Sequence, residues 1–520
     1  MSFKKLLGAA LWKGLLLSML LLLALLCGIF AGCAPATEPS NGSETPAPSS
    51  EESTEPVSSN TGLDVEGGND VYANYEASGK VTVAINKSRS TDFQALLDTF
   101  AQYYQNIDLE VDYFSAEGGT TEYLTAKAAN GTLPDIVFDD YSSLPYFISQ
   151  GWVYPLDDFV EGDGDFDYVP DSIVDSYTFN GHLFALPTTI HFRTIFLNLD
   201  LLNELNLDLP ALDWTPEQYA ELMKAATNAT YSGSETVFDL DINLAGTTNV
   251  NSGYYGYDIA NRRFNLAESW VENVQFMRGL REYPGLEAWS MRWNSSSDGT
   301  SDYVKKFGQG NTDDLHMAMK AGKTLSDTIE GTWDAWLYEL KFNWTHWPYP
   351  QGADSKGRLP MHIDHSFMTT AVTEDNVEAA FEVLRYLTYG VEGNITRLSM
   401  FDEENAGKYV LNNRYYIPCT IHPDVAEKFE SLPEVNEAII YMYENIENSF
   451  RADPAKIVPD FDQINNDYIL PSRNNVTDGL ADAATVAAEV EAKANEEIAK
   501  KWAAFDETVE KFLADFKKVN

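Results

Sequence analysis

Several groups of residues have the types and spacing to do chemistry. His362-Ile363-Asp364-His365 brings two imidazoles and a carboxylate into four residues, the donor set of a zinc site, yet no third cluster at metal-ligand spacing accompanies it. A hinge loop is the plainer expectation for it. Asp163, Asp165, Asp167 and Asp171 follow the odd-position spacing of a calcium loop, but Tyr168 stands where the turn glycine belongs and Val174 where the closing glutamate does. An acidic surface loop is expected there. Gly322-Lys323-Thr324 has the ending of a phosphate-binding loop, with Met317 in place of its first glycine. HExxH, GxSxG and CxxC do not occur. The expectation is no metal, no cofactor and no catalytic residue.

Other residues suit reversible binding. Asp139, Asp140 and Tyr141 follow the β-rich Ile136-Val137-Phe138, and a carboxylate accepts hydrogen bonds from two hydroxyls at once. Asn86 and Arg89 follow Val81–Ile85 in the same way. Trp333, in Gly331-Thr332-Trp333-Asp334, is not embedded in an apolar run and offers a ring face with polar neighbours.

The elements that must position these residues alternate. After the strand Val81–Ile85, Phe93, Leu96, Leu97, Phe100 and Tyr104 recur at helical spacing. Ile107, Leu109, Val111 and Tyr113 alternate as a half-buried strand, Tyr123 to Asn130 reads as a helix stopped by Gly131, and Ile136–Phe138 is a third strand. That order implies a parallel α/β sheet receiving ligands at the carboxyl ends of its strands. Thr215 to Gln218 forms a capping box with Pro216 at the first helical position. Near the C-terminus Trp502, Phe505, Val509, Phe512, Leu513 and Phe516 predict a helix packed on the body.

An ordered set of blocks resembles the family 1 extracellular solute-binding proteins. Ala128 to Phe138 is similar to their "aasGxxPDvv" signature, Gln150 to Phe159 to "xGxlxpLddy", Asn180 to Pro187 to "dGkxyglP", and Phe196 to Leu202 to "lyYNkdlf". Asp213 to Gln218, the strand-like Met317-Ala318-Met319, Gly331-Thr332-Trp333, Trp347 to Gly352 and the helix Thr373 to Leu387 continue the likeness. The resemblance implies a two-lobed, periplasmic-binding-protein-like α/β fold of type II, with a cleft between lobes and a hinge of three crossings near Pro187, His362 and Leu411. Lobe one is then 80–187 plus 362–412, and lobe two 188–361 plus 413–520. It implies a carbohydrate ligand, stacked on Trp333 and more weakly on Trp336, with His191 at a sugar-contacting position. Phe367, Trp289, Trp293 and Tyr415 are weaker candidates. The chain departs from the family pattern in lacking a Trp near Ala84 and a glycine within Ile363–Phe367, which bears on pocket shape.

Lys4, Lys5 and Lys13 precede an apolar run from Leu15 to Phe30, as in an export signal, and Phe30-Ala31-Gly32-Cys33 resembles a bacterial lipobox. A signal peptide over 1–32, a lipidated Cys33 and a disordered tether to residue 79 are expected, since that stretch has acidic residues and no Lys or Arg. Cys419 is then a lone thiol, expected to be buried. With 35 Lys and Arg against 80 Asp and Glu, a net charge of -45 excludes nucleic acid as a partner. The expected protein is a monomeric, lipid-anchored subunit outside the cytoplasmic membrane that delivers sugar to ABC permease subunits. The competing classes are a surface sensor or adhesin on the same fold, and a secreted glycoside hydrolase.

Overall fold

The computed structural model describes residues 70–87, 93–115, 119–294, 297, 299–308, 316–329, 331–405, 408, 411 and 414–519. The expected signal peptide, Cys33 and most of the tether lie outside these residues, as does Arg89.

The alternating apolar segments pair as expected. β1 (Gly79–Asn86) lies between β2 (Ile107–Phe114) and β3 (Ile136–Asp140), parallel to both. The helices Gln94–Tyr103 and Gly119–Ala129 connect them. Two further strands extend this sheet: β4 (Leu186–Phe192) and β9 (Pro360–Met368). β9 runs antiparallel to both β3 and β4, and the short β10 (Phe450–Arg451) pairs parallel to its first residues. The register of β9 shifts beside His365 against both partners, so this residue sits at an irregularity shared by three strands.

A second sheet follows directly. Across Arg193 and Thr194 the chain passes from β4 into β5 (Ile195–Asn198), which pairs antiparallel with β7 (Thr324–Asp327) and β8 (Trp344–Trp347). β6 (Ser232–Ser234) is parallel to β7 at the edge. The capping box forms as read: Gln218 N–H donates to Thr215 Oγ1 and Thr215 N–H donates to Gln218 Oε1.

The C-terminal helix Ala483–Val519 touches elements attached to both sheets. Asn495 exchanges two hydrogen bonds with the Phe264 backbone, at 2.7 and 2.9 Å. Further along, Asp506 pairs with Arg262 at 2.8 Å while its carbonyl accepts from Asn180, and Phe516 meets Tyr154 edge-on.

Four expectations are corrected. His362–His365 is part of continuous strand β9 rather than a loop, because both neighbours take up its backbone groups. Met317–Met319 forms one helical turn, Met317–Lys320, and the strand begins only at Thr324, beyond the turn at Gly322. Asp163 and Asp165 are buried rather than at the surface. Both pair with Arg385, at 2.7 and 2.6 Å, and Asp70 binds the same guanidinium. Docking of the N-terminal chain therefore begins by Asp70 and not at Lys80, reinforced by the Tyr75 hydroxyl on Glu392 at 2.9 Å. Cys419 is fully buried, as expected.

Candidate functional site

β4 and β9 build the floor of the site. Their register sets His191 opposite His362 and Thr189 opposite Asp364. At the end of β4, Thr332 N–H donates to Phe192 O at 3.0 Å, and Phe192 N–H donates to Thr332 Oγ1 at 3.1 Å. The next turn is closed by Gly331 N–H on Asp334 Oδ2. This fixes Trp333, whose ring lies over Gly331 so closely that a Cβ there would collide with it. The half-buried Trp333 ring stands 4.9 Å from the His362 ring, 6.2 Å from His191 edge-on, and 5.7 Å from the Arg193 guanidinium. Arg193 Nε donates to His362 Nε2 at 3.0 Å. Burial, with Arg193 beside it, holds His362 far below the usual imidazole range and therefore neutral.

Beside this group opens a small cavity. Thr189, Ile190 and His191 line it from β4, Thr332 from the Trp333 turn, and Arg397, Met400, Leu411, Tyr415 and Tyr416 from the opposite side. Arg397 is the most constrained: it donates to Thr188 O at 3.1 Å and Thr189 Oγ1 at 3.2 Å, with its guanidinium 3.8 Å from the Tyr416 ring. The lining couples apolar ring faces to fixed donors and holds no paired carboxylates. Such a lining can cover an apolar face and donate hydrogen bonds to a bound molecule.

The expected residues divide. Asn86 and Asp139 stand at the carboxyl edge of β1 and β3, since Ile85 pairs with Phe138 just before them. Asp140, next along β3, is buried and already satisfied: Thr120 Oγ1 donates to it at 2.5 Å, and Ser142 N–H and Oγ at 3.1 Å each. Burial pushes its carboxyl up to about 6. Its Oδ2 lies 3.8 Å from His365 Nε2. His365 and His362 are three residues apart on β9, about 10 Å along the strand. Tyr141 is 45% exposed.

Two candidates are placed elsewhere. Phe367 is fully buried, its ring 5.6 Å from Phe147, and belongs to the main core. Trp336 packs on a satellite cluster of Phe196, Met319 and Leu337, with His316 at 4.8 Å. Sequence reasoning missed Arg397 and Tyr416 as lining residues and Arg193 and His362 as the residues packed against Trp333. Arg397 alone had a signal, a cation on the buried face of the amphipathic helix Val391–Ser399.

Residues 86–388 match the family described as bacterial extracellular solute-binding protein. Three solved structures are similar to this chain. A Listeria monocytogenes ABC substrate-binding protein in complex with cycloalternan is 14% identical, with 81% of this chain and 99% of that one covered and a TM-score of 0.57. A Rhizobium etli sugar transporter in an open conformation is 15% identical, covers 79% and 99%, and has a TM-score of 0.59. A cyclic alpha-maltosyl-1,6-maltose binding protein from Arthrobacter globiformis is 15% identical, covers 81% and 99%, and has a TM-score of 0.57. The architecture is the two-lobed α/β fold of such proteins.

Proposed function

The chain belongs to the bacterial extracellular solute-binding protein family, and on that premise we propose that it captures an oligosaccharide and hands it to the permease of an ABC importer. The observation that carries this reading is the Trp333 ring, held by a glycine turn against His362 and His191, with His191 and Thr332 of the same group lining a small cavity whose donors are already oriented. A sugar presents a C–H-rich face to such a ring and hydroxyls to the neighbouring His191, Thr189 and Arg397. The cycloalternan complex and the maltosyl-maltose binding protein among its structural neighbours favour the same ligand class.

In this reading lobe one is 80–187 plus 362–412, and lobe two 188–361 plus 413–520. They close on the sugar about β4 and β9, and the ligand stabilises the closed state by contacts made only there. Removal of residues 1–32 leaves Cys33 acylated, and the acidic tether carries a monomer outward from the cytoplasmic membrane.

A thermal-shift panel of cycloalternan, maltotriose, maltoheptaose and tagatose tests the ligand class. An oligosaccharide that binds the folded state raises the melting temperature in proportion to the logarithm of its excess over Kd. The same sugar should lower the radius of gyration in solution scattering and be recovered unchanged. Flat melting curves across the panel, or release of a cleavage product, would overturn the reading.

A further inference from the structure

Four arginines are buried among the described residues: Arg292, Arg385, Arg397 and Arg451. Three of them sit on carboxylates. Arg292 meets Glu235 at 3.4 Å, Arg385 meets Asp163 at 2.7 Å and Asp165 at 2.6 Å, and Arg451 meets Asp453 at 2.6 Å. That is the ordinary condition for burying a charge, since a guanidinium taken out of water without an anion loses solvation that nothing returns. Arg397 departs from it. It donates to the Thr188 carbonyl at 3.1 Å and to the Thr189 hydroxyl at 3.2 Å, and lies 3.8 Å from the Tyr416 ring and 5.2 Å from the Phe93 ring. These partners are all neutral, and no carboxylate among the described residues forms an ion pair with it.

The last turn of helix Val391–Ser399 and the Tyr416 ring face offset part of the cost of burying this cation. They still leave a full positive charge on the wall of the cavity beside His191 and Thr332, and no carboxylate lines that cavity. With 80 Asp and Glu against 35 Lys and Arg, the chain has acidic residues in excess, and still none serves this guanidinium among the described residues. A guanidinium presents its N–H donors as a planar fork that fits the two oxygens of a carboxylate. The small cavity admits a substituent of a sugar rather than a whole ring. The negative charge of the protein opposes an anion at long range, but physiological salt screens that field beyond about 8 Å, and contact pairing then governs.

We propose that the cavity takes an acidic substituent, so that the preferred oligosaccharide carries a carboxylate, as a uronic acid does, and Arg397 pairs with it. The proposal rests on the carbohydrate reading above, with neutral sugars bound more weakly. Calorimetric titration of the mature folded chain with trigalacturonate and with its methyl ester tests it, because the two share a backbone and differ in charge. Free acetate and maltotriose are titrated alongside. The wild type should bind the acid at least about tenfold more tightly than the ester. Arg397→Met keeps an unbranched stem against Tyr416 and should bring the two affinities within about twofold, while Arg397→Lys should keep part of the preference. The acid-to-ester ratio is taken within each variant, so a loss of stability does not imitate the effect. If the wild type binds acid and ester alike, if Arg397→Met keeps the preference, or if maltotriose binds and neither form of trigalacturonate does, the acidic pairing is wrong and the carbohydrate reading stands. Acetate bound as tightly as the uronate would make the cavity a site for a free anion and overturn the sugar-borne assignment. If the wild type binds none of these sugars, the pairing falls together with that reading.

Discussion

Replacing Trp333 by alanine separates a binding ring from a structural one. In the unliganded protein the ring's neighbours are His191, His362, the Arg193 guanidinium and the Gly331 backbone, and its half-burial places it outside the main core. The largest specific attraction that the folded variant loses is the cation–π contact with Arg193, about 0.5–1 kcal/mol at a partly exposed site. Trp214 is the internal control. It is fully buried, its Nε1 donates to Pro348 O at 2.8 Å, and its ring meets Tyr219 at 5.4 Å. Trp214→Ala should cost about 3–5 kcal/mol and lower the melting temperature sharply. Trp333→Ala should cost the free protein about 1 kcal/mol and the sugar complex about 2 kcal/mol or more, a roughly thirtyfold rise in Kd. Calorimetry with the best oligosaccharide of the panel gives Kd and active fraction, and differential scanning fluorimetry without sugar gives stability. If Trp333→Ala unfolds as readily as Trp214→Ala while the folded fraction binds normally, the ring is structural and the site assignment fails.

Burial and the nearby Asp327 push the Glu235 carboxyl up to about 8, so the folded state holds a proton that the unfolded state releases near 4.5. That contribution is complete below the unfolded value and is lost as pH rises through about 8. Stability by urea unfolding should therefore fall from pH 6.5 to 8, and Glu235→Gln should flatten the slope; an unchanged slope would refute it. Trp502 donates from Nε1 to Tyr257 at 2.8 Å beneath Arg262, so Trp502→Ala should cost roughly 3–5 kcal/mol in the same assay. Cys33→Ala should abolish acylation, read by metabolic labelling with a clickable fatty acid, and wild-type labelling of the variant would refute the anchor.

The readings that held were those in which a short stretch satisfies itself. The Thr215–Gln218 capping box exchanges hydrogen bonds within four residues. The helix read within Thr373 to Leu387 forms over Val377–Leu387, and the C-terminal helix forms as read. The readings that failed involve partners far away in the chain. Asp163 and Asp165 looked solvent-exposed because their counter-ion, Arg385, lies more than 200 positions downstream. His362 and His365 looked like a loop because the strands that take up their backbone groups come from β3 and β4. Trp333 and Trp336 share a short segment, yet one packs on His191 and His362 and the other on a satellite core, since a turn and a short helix rotate them apart.

The sequence by itself determined the order of strands and helices, the local caps and the family, because these depend on apolar periodicity and on residues a few positions apart. Only the tertiary structure decided which side chains line the cavity. Thr189, Arg397 and Tyr416 meet there through β4, a helix some two hundred residues later and the segment beyond it. No period in the chain records that meeting, because it is set by packing of the two sheets and by pairing between strands distant in sequence.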